Sequence, residues 1–302
     1  MRGVISAAML TALEDLGLAH AFDAVYGSSV GALNAAYFLA GETWYPLSIY
    51  YDDLPTKRFI DFGRRLVGKP ILDLDYAFDE VIERRKPLDY ERVVRSDVPL
   101  CVAVTIVDKQ ATVLVSDFED RDDLKAALRA SSWLPGAVPG TTTFRGERAL
   151  DGSLLTAHPQ TLAAADGCTH VLSLSTHPIF EPRRYNPVIL RYAMRYLDQL
   201  ESGLGEGYAQ SLRHNQHEIV RLKHSMLDPR PDPYVLDLGP LPGAPPIKRH
   251  EMDRGTIIDS ARYAYELMVS AIEGHPPPLS GDSQWRVVPR LTRAPGPGRP
   301  PG

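Results

Sequence analysis

The stretch Ala24-Val25-Tyr26-Gly27-Ser28-Ser29-Val30-Gly31-Ala32 decides how this chain is organised. It holds a G-x-S-x-G pattern, in which a strand runs into a helix through a turn sharp enough to expose the central serine. The apolar residues Phe22 to Tyr26 predict the strand, and the run from Ala32 to Leu39 predicts a helix that ends at Gly41. This context favours Ser29 as a nucleophile over a plain glycine–serine turn.

Two glycines flank this serine. Gly27 and Gly31 have no Cβ atoms, and we expect their absence to let the strand and the helix close on each other. Ser29 is then expected at the N-terminus of the helix. There the helix dipole and the free N–H groups favour a developing negative charge.

The composition is that of an ordinary globular protein. The 302 residues are 44% hydrophobic and 24% charged, which excludes a disordered chain, a fibrous protein and a disulfide-stapled miniprotein. The 33 Lys and Arg residues against 38 Asp and Glu residues give a net charge of −5, so the chain lacks a global basic field for nucleic acid. Neither a transmembrane run nor a signal-peptide pattern is found, which predicts a cytoplasmic location with membrane association left open.

The remainder of the chain alternates predicted helices and strands. A helix is expected from Val4 to Leu16, and a hairpin joins the runs Pro99 to Val107 and Ala111 to Ser116. Further strands are expected at His170 to Ser175 and Tyr234 to Leu238. The alternation is typical of an α/β fold.

A serine hydroxyl needs a neighbouring base, and two arrangements supply one. The α/β-hydrolase order Ser…Asp…His fits Asp151 followed by His158, His170 or His177. That fold places its elbow after several strands, however, whereas here one predicted helix and one strand precede it. The alternative is a dyad of Ser29 and Asp151 without histidine, and His158 is kept as a candidate site member.

These motifs resemble those of the patatin-like phospholipase family. In that family a loop of the form G-G-G-x-R-G precedes the first helix, the nucleophile lies in G-x-S-x-G, and the base is the Asp of a D-G-G or D-G-A triplet. Four matches follow in the same order: Arg2-Gly3 with the end of the loop, Ser29 with the nucleophile, Ala130-Ser131…Pro135-Gly136 with an A-S-x-x-x-P-G segment, and Asp151-Gly152-Ser153 with the triplet.

The resemblance implies a three-layer α/β/α domain over residues 1–275 with a central, mostly parallel sheet. The Pro/Gly-rich residues 276–302 are predicted to form a disordered tail. Arg2 and Gly3 are then motif residues of the oxyanion loop, Gly27 and Gly31 belong to the elbow, and Gly152 belongs to the aspartate triplet.

The resemblance also implies an activity. Ser29 and Asp151 are its catalytic residues: Asp151 takes the proton of Ser29, which attacks a lipid ester as in a phospholipase A or lipase, and water resolves the acyl-enzyme. This chemistry needs no cofactor and no metal. The partner is a lipid or acyl-ester substrate, peripheral membrane contact is left open, and the sequence does not define an oligomeric state.

Two departures from the family pattern matter. Ser153 stands where the family has Gly or Ala, a change between small residues that we expect to have little effect. Met1 stands at the variable position of the glycine loop, so we expect the natural protein to begin upstream with a short strand ending in glycines. The rival interpretation follows: a non-catalytic lipid-binding or interaction protein that keeps the fold without a working oxyanion hole.

Three weaker patterns remain, and each has a structural interpretation that we favour. Aromatic residues from Trp44 to Phe62 are interspersed with Lys57, Arg58, Arg64 and Arg65. This pattern is compatible with a lid that contacts lipid, but we favour helices that pack in the core and expose a basic face to solvent. A basic and aromatic stripe between 185 and 196 suits anionic headgroups or, preferably, a solvent-facing helix edge. His214 and His217 have a spacing that metals use, but surface histidines are favoured.

Overall fold

The computed structural model describes residues 1–156, 159–178, 186–227 and 233–274. Its helices are α1 (Gly3–Asp15), α2 (Val30–Ala40), α3 (Trp44–Leu47), α4 (Tyr90–Val94), α5 (Arg121–Ser131), α6 (Pro159–Ala165), α7 (Pro187–Leu200), α8 (Leu204–Leu227) and α9 (Arg254–Glu273). Its strands are β1 (Val25–Ser28), β2 (Leu100–Ile106), β3 (Ala111–Val115), β4 (Thr142–Phe144), β5 (Glu147–Asp151), β6 (His170–Leu174) and β7 (Tyr234–Leu238). Helical segments of π or 3₁₀ geometry cover Ile49–Asp53, Phe62–Val67 and Tyr76–Arg85. The predicted tail lies outside the described residues.

The central sheet is organised around β2. This strand is apolar except for Thr105 and buried along its whole length, as expected for a strand covered on both faces. It pairs parallel with β1 and antiparallel with β3 and β5, and β4 continues the sheet from β5. The predicted α/β class with a central sheet flanked by helices is confirmed. Within the described residues this sheet is mixed, with one parallel strand pair (β1–β2) and three antiparallel pairs.

The register of β2 places β1 and β5 end to end along one of its edges. β3 covers residues 102–106 on one edge, so β1 and β5 share the other. On that edge Ser28 pairs with Ala103, and the next residue of β2, Val104, pairs with Asp151. The carboxyl ends of β1 and β5 therefore meet, and this brings the elbow and the aspartate triplet together.

The first and last described helices pack together beside the elbow. α1 is buried from Gly3 to Leu13, and it contacts both α9 and α2. A helix without a polar face has to be enclosed by its neighbours. The predicted helix closed by Gly17 is confirmed, and Gly17 adopts a φ of 74° as a left-handed C-terminal residue.

Other boundaries differ from the sequence prediction in physically clear ways. Residues 188–226, whose sequence pattern predicts continuous helix, form two helices, because Gly203 has a φ of 90° and interrupts the helix between them. The hairpin of β4 and β5 was not predicted. Its tight turn places Arg145 and Gly146 at φ values of 46° and 80°, as a two-residue turn with both centres left-handed requires.

β6 and β7 form a separate parallel pair among the described residues, with His170 opposite Tyr234 and Leu174 opposite Leu238. Both strands were predicted from their apolar runs. None of the helices in the described ranges is long and apolar enough to cross a lipid bilayer.

Candidate functional site

Ser29 occupies the turn between β1 and α2 in a strained conformation. Its φ of 53° and ψ of −132° are values that residues other than glycine rarely adopt. Such a conformation costs about 1–3 kcal/mol and persists only where the surrounding contacts enforce it. The half-buried Ser29 is thereby held at the start of α2, the position that the G-x-S-x-G pattern predicts.

The two elbow glycines have different environments. A Cβ atom on Gly27 would lie 2.4 Å from the Cα of Ala32, so a side chain there would force the strand and the helix apart. A Cβ atom on Gly31 would meet no heavy atom within 4 Å. The packing role predicted for Gly31 is therefore wrong: its missing Cβ would point into open space.

A hydrogen-bond chain behind the elbow supports the strained residue. The amide of Ser29 donates to the Oγ atom of Ser131 at 2.7 Å, and the hydroxyl of Ser131 donates to the carbonyl oxygen of Ala103 at 2.7 Å. Ser131 is fully buried at the end of α5. It belongs to the A-S-x-x-x-P-G segment, but the contact of its hydroxyl with the elbow was not predicted from that motif.

Asp151 ends β5 and is buried, with 1% of its surface exposed. Burial raises the pKa of its carboxyl group, while hydrogen bonds from Ser153 and Ser29 and the charge of Arg249 lower it in part. The amide of Asp151 donates to the carbonyl oxygen of Trp133 at 3.0 Å, which fixes its backbone. A carboxylate in this setting is a stronger base than an exposed one.

The hydroxyl of Ser29 donates a hydrogen bond to the carboxylate of Asp151, the residue that the family motifs pair with this serine. Gly152 permits the approach, because a Cβ atom there would lie 2.0 Å from the carbonyl oxygen of Ala103. The close packing of the triplet on β2 is what keeps Asp151 at the edge that it shares with the elbow.

Ser153 has a larger role than we expected from its size. Both its amide and its hydroxyl donate to Oδ1 of Asp151, at 2.8 and 2.7 Å. The hydroxyl, which Gly or Ala lacks, adds a second hydrogen bond to the carboxylate. The prediction that this position matters little is therefore not supported by the geometry.

The N-termini of α1 and α2 adjoin at the site. A Cβ atom on Gly3 would lie 2.7 Å from the Cγ2 atom of Val30, so the missing side chain allows this approach. Asn34 locks the two helices by donating from Nδ2 to the carbonyl oxygen of Gly3 at 3.0 Å. Both helix dipoles direct their positive ends toward the region of Ser29.

Cationic side chains complete the electrostatics. Arg2 precedes α1, and its Nη1 atom lies 2.9 Å from Nδ1 of His177. Arg249 lies in the loop before α9, and its charge lowers the pKa of Asp151. Arg249 was not predicted, because nearly one hundred residues separate it from Asp151 in sequence.

A cavity opens beside the elbow between α1, α2 and the segment that follows α3. The cavity is small, with a volume of about 40 Å³, and it opens to solvent. Val30, the residue after Ser29, and Asn34 contribute to its wall. The other lining residues are mostly apolar: Ala7, Leu33, Tyr37, Thr43, Pro46, Leu47, Ile49, Tyr50 and Leu54.

The histidine candidates are not brought to the carboxylate in the described part of the chain. His177 is paired with Arg2, and His170 contacts the hydroxyl of Thr169 and the ring of Tyr234. His158 lies outside the described residues. No histidine of the described ranges is among the main influences on the pKa of Asp151.

An elbow serine, a buried aspartate at the adjoining strand end and two helix N-termini are an arrangement typical of α/β proteins with a nucleophile elbow. The family model described as patatin-like phospholipase matches residues 1–164, and the chain belongs to this family. The matched range contains the elbow, Ser131 and the aspartate triplet.

A curated relative is similar over part of the same region. The mouse (Mus musculus) protein "1-acylglycerol-3-phosphate O-acyltransferase Pnpla3" is 27% identical over 142 residues, which cover 43% of this chain and 30% of the relative. The chain thus spans less than a third of the length of that curated protein.

Proposed function

We propose that this protein hydrolyses acyl esters of lipids, as a phospholipase A or lipase, through a dyad of Ser29 and Asp151. The observation that carries the proposal is the contact between a strained elbow serine and a buried carboxylate whose pKa is raised. A buried aspartate whose pKa is raised is suited to accept a proton that an exposed aspartate would not hold.

The steps follow from this geometry. Asp151 accepts the hydroxyl proton as the oxygen of Ser29 attacks the ester carbonyl, and the proton then passes to the leaving alcohol. The adjoining N-termini of α1 and α2 supply positive potential for the oxyanion. Water, deprotonated by the same carboxylate, then attacks the acyl-enzyme. The bond between the acyl group and the Ser29 oxygen breaks, the proton passes from Asp151 to that oxygen, and the fatty acid leaves.

The apolar cavity beside Val30 supports an acyl substrate. Its volume of about 40 Å³ accommodates only a short part of an acyl chain, which would contact apolar side chains such as Leu33 and Leu47, and the remainder of the chain would lie outside it. The carbonyl carbon is then held at the serine by binding energy that is remote from the reacting atoms.

Acyl transfer is the second candidate function, favoured by the name of the mouse relative. The same acyl-enzyme yields a transferase when the alcohol of a lysophospholipid such as 1-acylglycerol 3-phosphate displaces water. Arg249, near the carboxylate, is a cation that suits an anionic acceptor. Product analysis with and without this acceptor distinguishes the two outcomes.

A fluorophosphonate probe tests the nucleophile. We expect covalent labelling of Ser29, located by peptide mass spectrometry, and complete loss of labelling in Ser29→Ala. Ser28→Ala is the matched control, because the buried Ser28 hydroxyl makes no hydrogen bond with the described residues and its removal should cost little. Labelling at another serine contradicts the assignment of Ser29, and no labelling at all in a folded protein favours a non-catalytic binding protein.

The base is tested separately. We expect Asp151→Asn to lower kcat by about 10²–10⁴-fold, the usual contribution of a general base. Undiminished turnover of a medium-chain ester by Asp151→Asn would exclude the dyad even if Ser29 is labelled.

A further inference from the structure

Large apolar side chains are exposed on the 3₁₀ segment Phe62–Val67 and at the start of α7, two segments that meet where Arg65 contacts Tyr192. We call this set the apolar patch, and its members with their exposed fractions are Phe62 (59%), Leu66 (90%), Val67 (69%), Val188 (76%), Ile189 (67%) and Tyr192 (61%). A group of large exposed apolar side chains on a folded protein marks a site of interaction.

Arg65 joins the two halves of the patch. Its Nη2 atom donates to the hydroxyl of Tyr192 at 2.9 Å, and its guanidinium carbon lies 5.6 Å from the centroid of that ring. Val188 and Tyr192 are four residues apart in α7 and therefore share a helix face. Arg65 in the first segment and Tyr192 in the basic and aromatic stripe of α7 therefore join these two parts of the chain.

The charges interleaved with the patch have a single sign. Between residues 62 and 69 and between residues 187 and 195 there is no Asp or Glu. Basic residues stand in both segments: Arg64, Arg65, Lys69, Arg191 and Arg195. Of these, Arg64 lies 3.9 Å from Oδ2 of Asp73, outside the first segment, so its charge is partly offset. Apolar side chains among Lys and Arg are typical of surfaces that enter the headgroup region of a bilayer, where the long basic side chains reach the phosphates.

The apolar patch also contacts segments that reach the candidate site. Arg65 donates from Nη1 to the carbonyl oxygen of Gly136 at 3.3 Å, and Gly136 follows closely on Trp133, which accepts the amide of Asp151. The ring of Phe62 packs edge-on against His250 with centroids 5.5 Å apart. His250 adjoins Arg249, the cation that acts on the carboxylate.

We propose that the apolar patch and its basic residues dock the protein onto an anionic lipid surface beside the candidate site. The choice of occupant rests on the proposed function, because a lipid substrate is delivered from an aggregate. Positive charge supplies the attraction at a distance, and insertion of the patch supplies the apolar contact.

Vesicle flotation tests this docking in a Ser29→Ala background, so that hydrolysis does not alter the lipid. The probes are vesicles of phosphatidylcholine alone and of an equimolar mixture with phosphatidylserine. We expect Leu66→Gln/Val67→Gln and Val188→Gln/Ile189→Gln each to weaken binding to the mixed vesicles at least tenfold. The control is Ile272→Gln, an exposed apolar residue of α9 with 46% of its surface accessible, and it should bind like the parent.

The basic residues are tested with Arg191→Gln/Arg195→Gln. This variant should lose binding to the mixed vesicles while its residual binding to phosphatidylcholine is unchanged, and salt should weaken the parent in the same way. All the substituted side chains are exposed or at the surface, and unchanged melting temperatures establish that the variants fold.

The outcomes separate this proposal from the proposed function. Vesicle binding that needs the patch, in a protein that the fluorophosphonate does not label, supports docking and refutes the hydrolase. Hydrolysis of a soluble short-chain ester without vesicle binding, or patch variants that bind vesicles as the parent does, overturns docking alone. Conversion of a dimer into a monomer by the patch variants, seen by light scattering, would identify a second copy of the chain as the occupant and would also overturn it.

Discussion

The amide of Ser29 is hydrogen-bonded to the buried hydroxyl of Ser131, which itself donates to the backbone of Ala103 in β2. One side chain thus links the elbow, the end of α5 and the central strand. Since Ser29 has a φ of 53°, it needs contacts that hold it in this conformation, and the Ser131 hydroxyl is one of them.

Replacing Ser131 with Ala should therefore loosen the elbow. The change leaves the amide of Ser29 and the carbonyl of Ala103 without this partner, at a cost of about 1–3 kcal/mol for each group that stays buried and unsatisfied. We expect a lower melting temperature and a fall in kcat of about tenfold with little change in KM, measured with a soluble ester. Ser132→Ala is the control, because its hydroxyl bonds within α5 to Leu128; equal effects of the two changes would contradict a specific role for Ser131.

The second prediction concerns the extra hydrogen bond of Ser153. Ser153→Ala retains the amide that donates to Asp151 but removes the hydroxyl, so the charged carboxylate loses stabilisation. The pKa of Asp151 should rise further, and the acidic limb of the pH dependence of kcat/KM should move to higher pH. Ser153→Thr, which keeps a hydroxyl, should leave the limb in place. An unchanged profile in Ser153→Ala would show that this hydroxyl does not tune the base.

Some of this site is readable in the sequence because it is local. The elbow depends on a short apolar strand, a glycine at residue 27 and a helix that starts at Val30, and all three are encoded within nine residues. The aspartate triplet was identified from its motif, although the strand that carries it was not predicted. β5 was not predicted because the turn of its hairpin has Arg145 in a left-handed conformation, at a position where Asn or Gly is usual.

The rest of the site depends on contacts between distant segments. Ser131 reaches Ser29 across 102 positions of the chain, and only the packing of α5 on β2 brings them together. Gly31 illustrates the opposite error, since a motif glycine was assigned a packing role that its surroundings do not require. The spacing of a motif identifies the positions of its glycines, but it does not show whether a Cβ atom at each position would meet a neighbouring atom.

The third prediction concerns Arg249, whose charge lowers the pKa of Asp151 across the site. Arg249→Gln removes that charge, so the pKa of Asp151 should rise and the acidic limb should again move to higher pH. Because the guanidinium acts through its field, raised salt should reproduce part of the shift in the parent but not in the variant. Arg249→Lys is the matched control that keeps the charge; a shift of the same size in that variant would contradict an electrostatic role.

The fourth prediction concerns stability, because burial raises the pKa of Asp151 above its value in the unfolded chain. The folded state then binds the proton more tightly, so the ionised carboxylate destabilises the protein above the folded-state pKa. This cost is relieved as pH falls below that value. Asp151→Asn should therefore raise the melting temperature at neutral pH while activity is lost. The gain should shrink toward acidic pH, and a variant that melts lower than the parent at neutral pH would contradict this sign.

The last prediction compares two glycines of the same motif set. Gly152→Ala places a Cβ atom 2.0 Å from the carbonyl oxygen of Ala103, so β5 must move away from β2. Overpacking of this kind costs about 1–3 kcal/mol, and the movement also draws Asp151 away from Ser29. Gly31→Ala meets no heavy atom within 4 Å and removes a glycine from α2, which should stabilise the helix by up to about 1 kcal/mol. Thermal unfolding and ester turnover of both variants test the contrast. Gly152→Ala should melt at a lower temperature than the parent and lose activity, whereas Gly31→Ala should melt at or above the parent and remain active. The reverse order would show that the position of Gly31, and not that of Gly152, is the one too closely packed for a side chain.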